Sequence, residues 1–255
     1  MPAISVTYIG GPTAMLTVGG VRFLIDPTFD GPGEYPIGER TLVKRQGPAL
    51  TPEQIGPVDA VLLSHDQHPD NLDRRGREVL AAAPLALSTP AAEQRLGAPV
   101  RGLDPWACTP VRGAGGTVTV TAVPARHGPA GSEEQVGPVT GFAIAGGEGE
   151  SVYVSGDNAS VEVVAAIAER LGPFTHAVLF AGAARTALAG GQPLTLTATD
   201  AVQAVRLLGE PDTVAVHFEG WEHFSEGSDA LRGAFTAAGL AQRLCVPSPG
   251  ETLRL

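Results

Sequence analysis

One junction constrains this chain more than any other feature. The run Val58-Asp59-Ala60-Val61-Leu62-Leu63-Ser64 is apolar apart from Asp59 and its closing Ser64, and it passes without a break into Ser64-His65-Asp66-Gln67-His68-Pro69-Asp70-Asn71-Leu72-Asp73. A short continuous apolar run reads as a buried strand. Polar side chains at the carboxyl end of such a strand are the usual placing of a functional site in a layered α/β fold. His65, His68, Asp66, Asp70 and Asp73 offer nitrogen and oxygen donors enough for a divalent metal. A solvated helix amino terminus, where aspartate is favoured, would have a similar composition.

The arrangement recurs, and the recurrence decides between those readings. Thr117 to Val123 alternates as a half-buried strand, and His127 follows it. Ser151 to Val154 precedes Gly156-Asp157, and Thr213 to Val216 delivers His217. Three further strand ends therefore each present one candidate ligand. The remaining pattern supplies the scaffold. Ile4 to Ile9, Ala14 to Val18 and Val21 to Ile25 read as strands, with Gly19-Gly20 a two-residue hairpin turn. Leu85 to Ser88, Gly141 to Ala145 and His176 to Ala181 read as further strands, and Gly146-Gly147 suggests a second hairpin.

Helices are expected from the polar cluster to Ala82, from Thr89-Pro90 to about Gly97, after Ser160, from Thr197 to Leu208 with Asp200 completing a capping box, and from Ser228 to Ala238 before Gly239. Two short strands close the chain. Phe29 to Pro57 and Gly128 to Pro138 lack either periodicity and read as loops, the first a surface segment of the kind that forms a lid.

Composition bounds the alternatives. A length of 255 residues permits one large domain or two small ones, and the whole of 1–255 is read as one. The net charge of −10 and the absence of a Lys/Arg run beyond Lys44-Arg45 and Arg74-Arg75 argue against nucleic acid as a partner. No window is apolar enough to span a membrane, and Met1-Pro2-Ala3-Ile4-Ser5 does not begin a secretory leader. Cys108 and Cys245 form no CxxC pair and read as small buried hydrophobes, which fits a reducing cytoplasm.

The order strand, His-rich cluster, later His, later Gly-Asp, later His resembles the metallo-β-lactamase superfamily along nearly the full chain. The opening Thr7-Tyr8-Ile9-Gly10-Gly11 through Ile25-Asp26-Pro27 looks like that family's first hairpin and following Asp-Pro. Val216-His217-Phe218-Glu219-Gly220-Trp221-Glu222-His223-Phe224 looks like its ascorbate-6-phosphate lactonase-like branch. The resemblance implies an α/β αββα sandwich: two mixed β-sheets packed face to face with helices on the outer faces. It implies a first metal site of His65, His68 and His127, and a second of Asp70 and His217, with Asp157 bridging. It implies hydrolysis of a small ester, lactone or phosphoester by a metal-bound hydroxide, with zinc the first candidate, manganese and iron compatible, and one or two ions bound.

Two departures bear on that set. The family separates its first two histidines by one residue, whereas Asp66 and Gln67 both lie between His65 and His68. Either a one-residue bulge restores the geometry or Asp66 replaces a ligand. Asn71 stands where the family has another histidine, so the second site is expected to be the weaker, and Asp70 then becomes a candidate general base on a single ion.

His223 is a candidate for contact with substrate or leaving group, and with Asp70 makes up the expected catalytic pair. His176 reads as structural, and so does Arg126, which could bind an anionic substrate but which strand alternation turns away from His127; Trp221 either walls the pocket or packs under the loop, and Glu219 and Glu222 read as solvated or as hydrogen-bond partners of the histidines. The expected partner is a small-molecule substrate, and a homo-oligomer is compatible with the sequence. Two other functions fit the same residues: a mononuclear iron oxygenase on this fold, and a metal-poor binding protein that has lost catalysis.

Overall fold

The computed structural model describes residues 4–147 and 149–255; Met1-Pro2-Ala3, on which part of the reading of the amino terminus rests, lies outside them. Sixteen strands occur among the described residues: β1 Ile4–Gly10, β2 Thr13–Val18, β3 Val21–Ile25, β4 Gly33–Ile37, β5 Arg40–Lys44, β6 Ala60–Leu62, β7 Ala86–Ser88, β8 Val100–Gly102, β9 Cys108–Gly113, β10 Gly116–Pro124, β11 Thr140–Ala145, β12 Ser151–Val154, β13 His176–Phe180, β14 Asp212–Val216, β15 Leu244–Cys245 and β16 Thr252–Arg254. The helices are α1 Pro52–Ile55, α2 Arg74–Ala82, α3 Pro90–Leu96, α4 Glu133–Val136, α5 Val161–Leu171, α6 Ala198–Leu207 and α7 Ser228–Ala237.

These form two seven-stranded sheets, in the orders β16-β1-β2-β3-β6-β7-β8 and β15-β14-β13-β12-β11-β10-β9. Both are mixed. In the first, β1, β2 and β3 run antiparallel and β3, β6, β7 and β8 parallel. In the second, β9 to β12 run antiparallel and β12 to β15 parallel.

The period of two along the strands sorts side chains between layers. Leu16, Phe23, Ile25 and Leu62 face inward and share a core with Val118, Val120, Phe142 and Val152 of the opposite sheet. Their immediate neighbours Met15, Leu24, Val61 and Leu63 point outward, where they pack with Leu80 of α2 and Ala92 of α3. Val164 and Ile167 of α5, Val202 and Val205 of α6, and Leu231 and Phe235 of α7 belong to the main core with the second sheet. Each fully buried valine or leucine contributes about 1.5–3 kcal/mol, so both outer layers are held chiefly by apolar burial. The expected αββα sandwich is the observed fold.

Local signals behave as their chemistry requires. Gly19 and Gly20 have φ of +55° and +75°, the left-handed pair that a tight hairpin turn needs. Ser160 caps α5 by accepting from Val163 N, and Thr197 with Asp200 forms the capping box of α6. Among the described residues no helix is long and apolar enough to cross a membrane.

Three expectations need correction. The segment Phe29 to Pro57 carries the antiparallel pair β4–β5 and the short α1, because Leu42 and Lys44 on alternate positions of β5 are buried while Gly33 and Pro36 disguise β4. The turn Gly128 to Pro138 contains α4, one helical turn that the polar composition hides. Cys108 is exposed and Cys245 half-buried rather than core, since β9 and β15 are the edge strands of their sheet.

Candidate metal centre

The site gathers at one edge of the sandwich, beyond the carboxyl ends of β3, β6, β10, β12 and β14. These supply Asp26, His65, His127, Asp157 and His217 in turn, all buried. His65 Nε2 lies 2.9 Å from His68 Nδ1, and His127 Nε2 lies 3.3 Å from the same atom. Beside this triad, Asp70, Asp157 and His217 place one ligand atom each within 4.8 Å of one another. Asp157 stands between the groups, with Oδ2 3.7 Å from His127 Nε2 and Oδ1 3.8 Å from His217 Nε2. His217 Nε2 is 3.4 Å from Asp70 Oδ2, and His223 Nε2 donates to that same oxygen at 2.9 Å.

Hydrogen bonds fix which nitrogen of His65 and of His127 faces the centre. His127 Nδ1 donates to the Leu194 carbonyl at 2.7 Å. His65 Nδ1 donates to the Ser64 hydroxyl at 2.9 Å, and that hydroxyl donates to Asp26 Oδ2 at 2.6 Å. Both Nε2 lone pairs are thereby aimed inward, the arrangement by which outer partners orient metal-binding histidines. Burial holds His65, His68, His127 and His217 below the ordinary histidine range, His127 at about 3, so all four rings are neutral at physiological pH.

The carboxylates behave differently. Burial pushes Asp157 well up, and Asp70 and Asp26 nearby add to that. Burial also acts to raise Asp70, but the His223 and His217 imidazoles beside it outweigh the effect and hold it well below the usual range.

These residues fit a divalent cation. Three inward-facing imidazole nitrogens spaced near the roughly 3.3 Å edge of a tetrahedron with 2.0–2.1 Å bonds are a zinc-type donor set. Asp70 Oδ1, His217 Nδ1 and His217 Nε2 are buried with no hydrogen-bond partner, a cost that such groups normally avoid. Burying several carboxylates together is likewise unfavourable until a cation offsets them.

The two departures in the sequence resolve as follows. Asp66 is not directed to the centre; its carboxylate is held bidentately by Arg95 at 2.8 and 2.5 Å, and its carbonyl accepts from Arg77 at 2.8 Å. With Asp66 and Gln67 between them, His65 and His68 still bring ring nitrogens to 2.9 Å of one another. Asn71 Nδ2 donates to Asp26 Oδ2 and to Asp157 Oδ1, both at 3.0 Å, and so orients two carboxylates.

Arg126 pairs with Glu162 at 3.0 Å, away from the centre, and His176 bonds Thr175 at the opposite end of β13. Trp221 is buried with Tyr35 and Lys44 against its ring, Glu222 pairs with Arg45, and half-buried Glu219 lies beside Tyr8.

Sequence reasoning passed over three residues here. Asp26 has φ of +35°, accepts from Ser64 N and Oγ, and is lifted to about 7 by burial. It follows a strand just as Asp157 does, and that was the available signal. Arg40 and Leu42 of β5 line the cleft over the centre, which also touches His68, Asp70, His127 and His223. Their signal lay in a segment whose periodicity is broken by Gly and Pro. Backbone strain recurs in the same place: His217 and Ala183 also have positive φ, at 58° and 46°.

The fold compares with solved structures at low identity. An isothiocyanate hydrolase from Delia radicum gut bacteria superposes with a TM-score of 0.81 at 21% identity, covering 98% of each chain. A possible metal-dependent hydrolase from Veillonella parvula DSM 2008 gives 0.84 at 20%, covering 98% of this chain and 99% of that one. CmlA, a diiron β-hydroxylase from Streptomyces venezuelae, gives 0.70 at 19%, with all of this chain matching 55% of that one. No curated protein sequence matches. Residues 21–218 match the model of the beta-lactamase superfamily domain, a span that contains every member of both donor groups, and the chain belongs to that superfamily.

Proposed function

We propose that this protein is a metal-dependent hydrolase of a small ester, lactone or phosphoester. The observation that carries the reading is the pair of buried donor groups, His65/His68/His127 and Asp70/Asp157/His217, side by side beneath one cleft. In this reading the three histidines would hold a first ion, and Asp70 and His217, with Asp157 between the two groups, would hold a second. A divalent ion there supplies Lewis acidity toward a carbonyl or phosphoryl oxygen and brings the pKa of a coordinated water toward neutrality. Zinc suits the His-rich triad, and manganese and iron accept the mixed set.

The protein's own side chains do the rest. His223 lies in the cleft wall with its Nε2 proton on Asp70, poised to hand a proton to a departing oxygen. Asp70 takes the proton-accepting role where only one ion is bound. Leu42, Leu188 and Leu194 line the cleft and keep bulk water from the reacting bond. The segment from Val216 to Phe224 supports a lactonase-like member of the superfamily, and so favours cyclic esters within the substrate class.

A mononuclear iron oxygenase is the second reading, favoured by the oxygen-rich second group and by Asn71 in place of an imidazole. Metal analysis of protein purified without added metal, beside turnover of an ester, lactone and phosphoester panel, separates the readings. Two equivalents of zinc or manganese, with hydrolysis abolished by chelation, is the expected result. One iron with dioxygen-dependent turnover establishes the oxygenase. No metal, and no activity on reconstitution, establishes a binding protein.

A further inference from the structure

The cleft over the donor groups contains one arginine, Arg40, on β5 next to the turn of the β4–β5 hairpin. Among the described residues its guanidinium has neither a hydrogen bond nor an ion-pair partner, and burial and the charge of Asp70 are what act on it. Arg75, Arg112 and Arg254 are likewise without such a partner, but Arg40 alone of these lines the cleft over the donor groups. Arg45, Arg95, Arg126 and Arg243 all pair with carboxylates. Asp70 acts on Arg40 only through its charge, since no ion pair joins them; its Oδ2 accepts from His223 and faces His217. A second polar group in the same cleft is unmatched: the Thr186 hydroxyl is buried and has no partner.

The hairpin that carries Arg40 is fixed at its other end. Lys44 pairs with buried Asp73 at 3.2 Å, Glu222 N donates to Val43 O at 3.0 Å, and Arg45 N donates to Gly220 O at 2.7 Å. Arg40 is thus held over the cleft by the loop that also carries His217 and His223. A guanidinium so placed offers a planar fork of N–H donors, suited to a carboxylate or phosphate, and the Thr186 hydroxyl can donate to the same group.

We propose that Arg40 and Thr186 bind an anionic oxygen group of the substrate, a carboxylate or phosphate carried beside the bond that is cleaved, while Leu42, Leu188 and Leu194 receive its apolar portion. The assignment rests on the hydrolase reading for the identity of the bond, but the anion subsite itself is testable without turnover.

The test is calorimetric titration of the metal-loaded protein with malonate, succinate and glutarate, each against its mono-acid of equal length (propionate, butyrate, valerate), and with 3-phosphonopropionate. One carboxylate can satisfy the metal in either series, so the ratio within a pair reports the second anion. At least one diacid should bind about 10-fold or more tightly than its mono-acid, a typical gain for a charge-assisted pair. In Arg40→Gln the ratio should fall to within about 2-fold, in Arg40→Lys it should be partly kept, and in Thr186→Val it should drop in part. A stronger response to the phosphonate than to succinate identifies phosphate as the group, and the reverse identifies carboxylate.

The proposal is overturned if no diacid or phosphonate is preferred by the native protein, or if the preference survives in Arg40→Gln, which would mean chelation by the metal alone. An unchanged thermal melt in Arg40→Gln certifies the fold. Absence of turnover on every ester, lactone and phosphoester, with the Arg40-dependent ratio intact, would remove the hydrolase reading and leave the subsite.

Discussion

Asp157 is the residue on which the two donor groups depend, since its two oxygens face different histidines. A helix-capping role would compete with this, but Ser160 caps α5 and Asp157 takes no part. Asp157→Asn preserves the shape of the side chain and removes its charge. It should lower the metal stoichiometry while the melt of the metal-free protein stays where it was, because no cap is lost. Elemental analysis and a melt on one sample check this, and full occupancy with a cap-like loss of about 0.5–2 kcal/mol would assign Asp157 to structure. At this scale the sequence was informative. His65, His68, Asp70, His127, Asp157 and His217 were all visible as donors after strands, and all six converge. Asp26 was not singled out, because its importance lies in the hydrogen bonds it receives from Ser64 and Asn71, and partners 38 and 45 residues away leave no local pattern.

Elements deliver these residues through close backbone approaches. The end of β13 passes so near the His217 turn that a Cβ added at Gly182 would fall 2.1 Å from the His217 carbonyl oxygen and 2.8 Å from Phe218 Cα. Both contacts are backbone, so the strain cannot be relieved by a side-chain rotation. Gly182→Ala should destabilise the protein by about 1–3 kcal/mol, as overpacking does, and should weaken one metal equivalent more than the other. Denaturation with urea and a metal titration read the two effects, and native affinity at both positions would show that the backbone approach at Gly182 does not govern the placing of His217. Long strands with clean alternation, such as β10, and helices with caps, such as α5 and α6, were legible for the reasons that stabilise them. Three-residue β8 and the Gly/Pro-interrupted hairpin β4–β5 were not, because their pairing comes from neighbours rather than from their own pattern. That blindness extended to function, since Arg40 lies on the hairpin.

Across the whole molecule, the donors divide between the sheets. His65, His68 and Asp70 follow β6 of the first sheet, and His127, Asp157 and His217 follow strands of the second. An ion bound as proposed therefore ties the two layers together at one edge. Chelation should lower the melting temperature, and readded zinc should restore it in a concentration-dependent way. Linkage predicts about 2.7 kcal/mol at 100 times the dissociation constant. A melt indifferent to chelator would contradict binding across the layers. The superfamily fold could be read because the strand order and the ligand order coincide along the chain. The anion-binding side of the cleft could not, because Arg40 and Thr186 are brought together only by tertiary packing.

The pairing of β16 with β1 has a consequence for how the protein is made. Thr252–Arg254 follows the other fifteen strands of the described residues, yet it completes the sheet that Ile4–Gly10 begins. During synthesis the first sheet must wait on the ribosome with β1 as an open edge, the kind of template that invites pairing with other chains. His217 also follows most of the other strands in sequence, so neither the covered edge nor the full set of proposed ligands exists until these later segments have been made. Nascent chains stalled before residue 212 should accordingly be protease-sensitive and depend on chaperones, whereas the released protein should acquire metal and protection together.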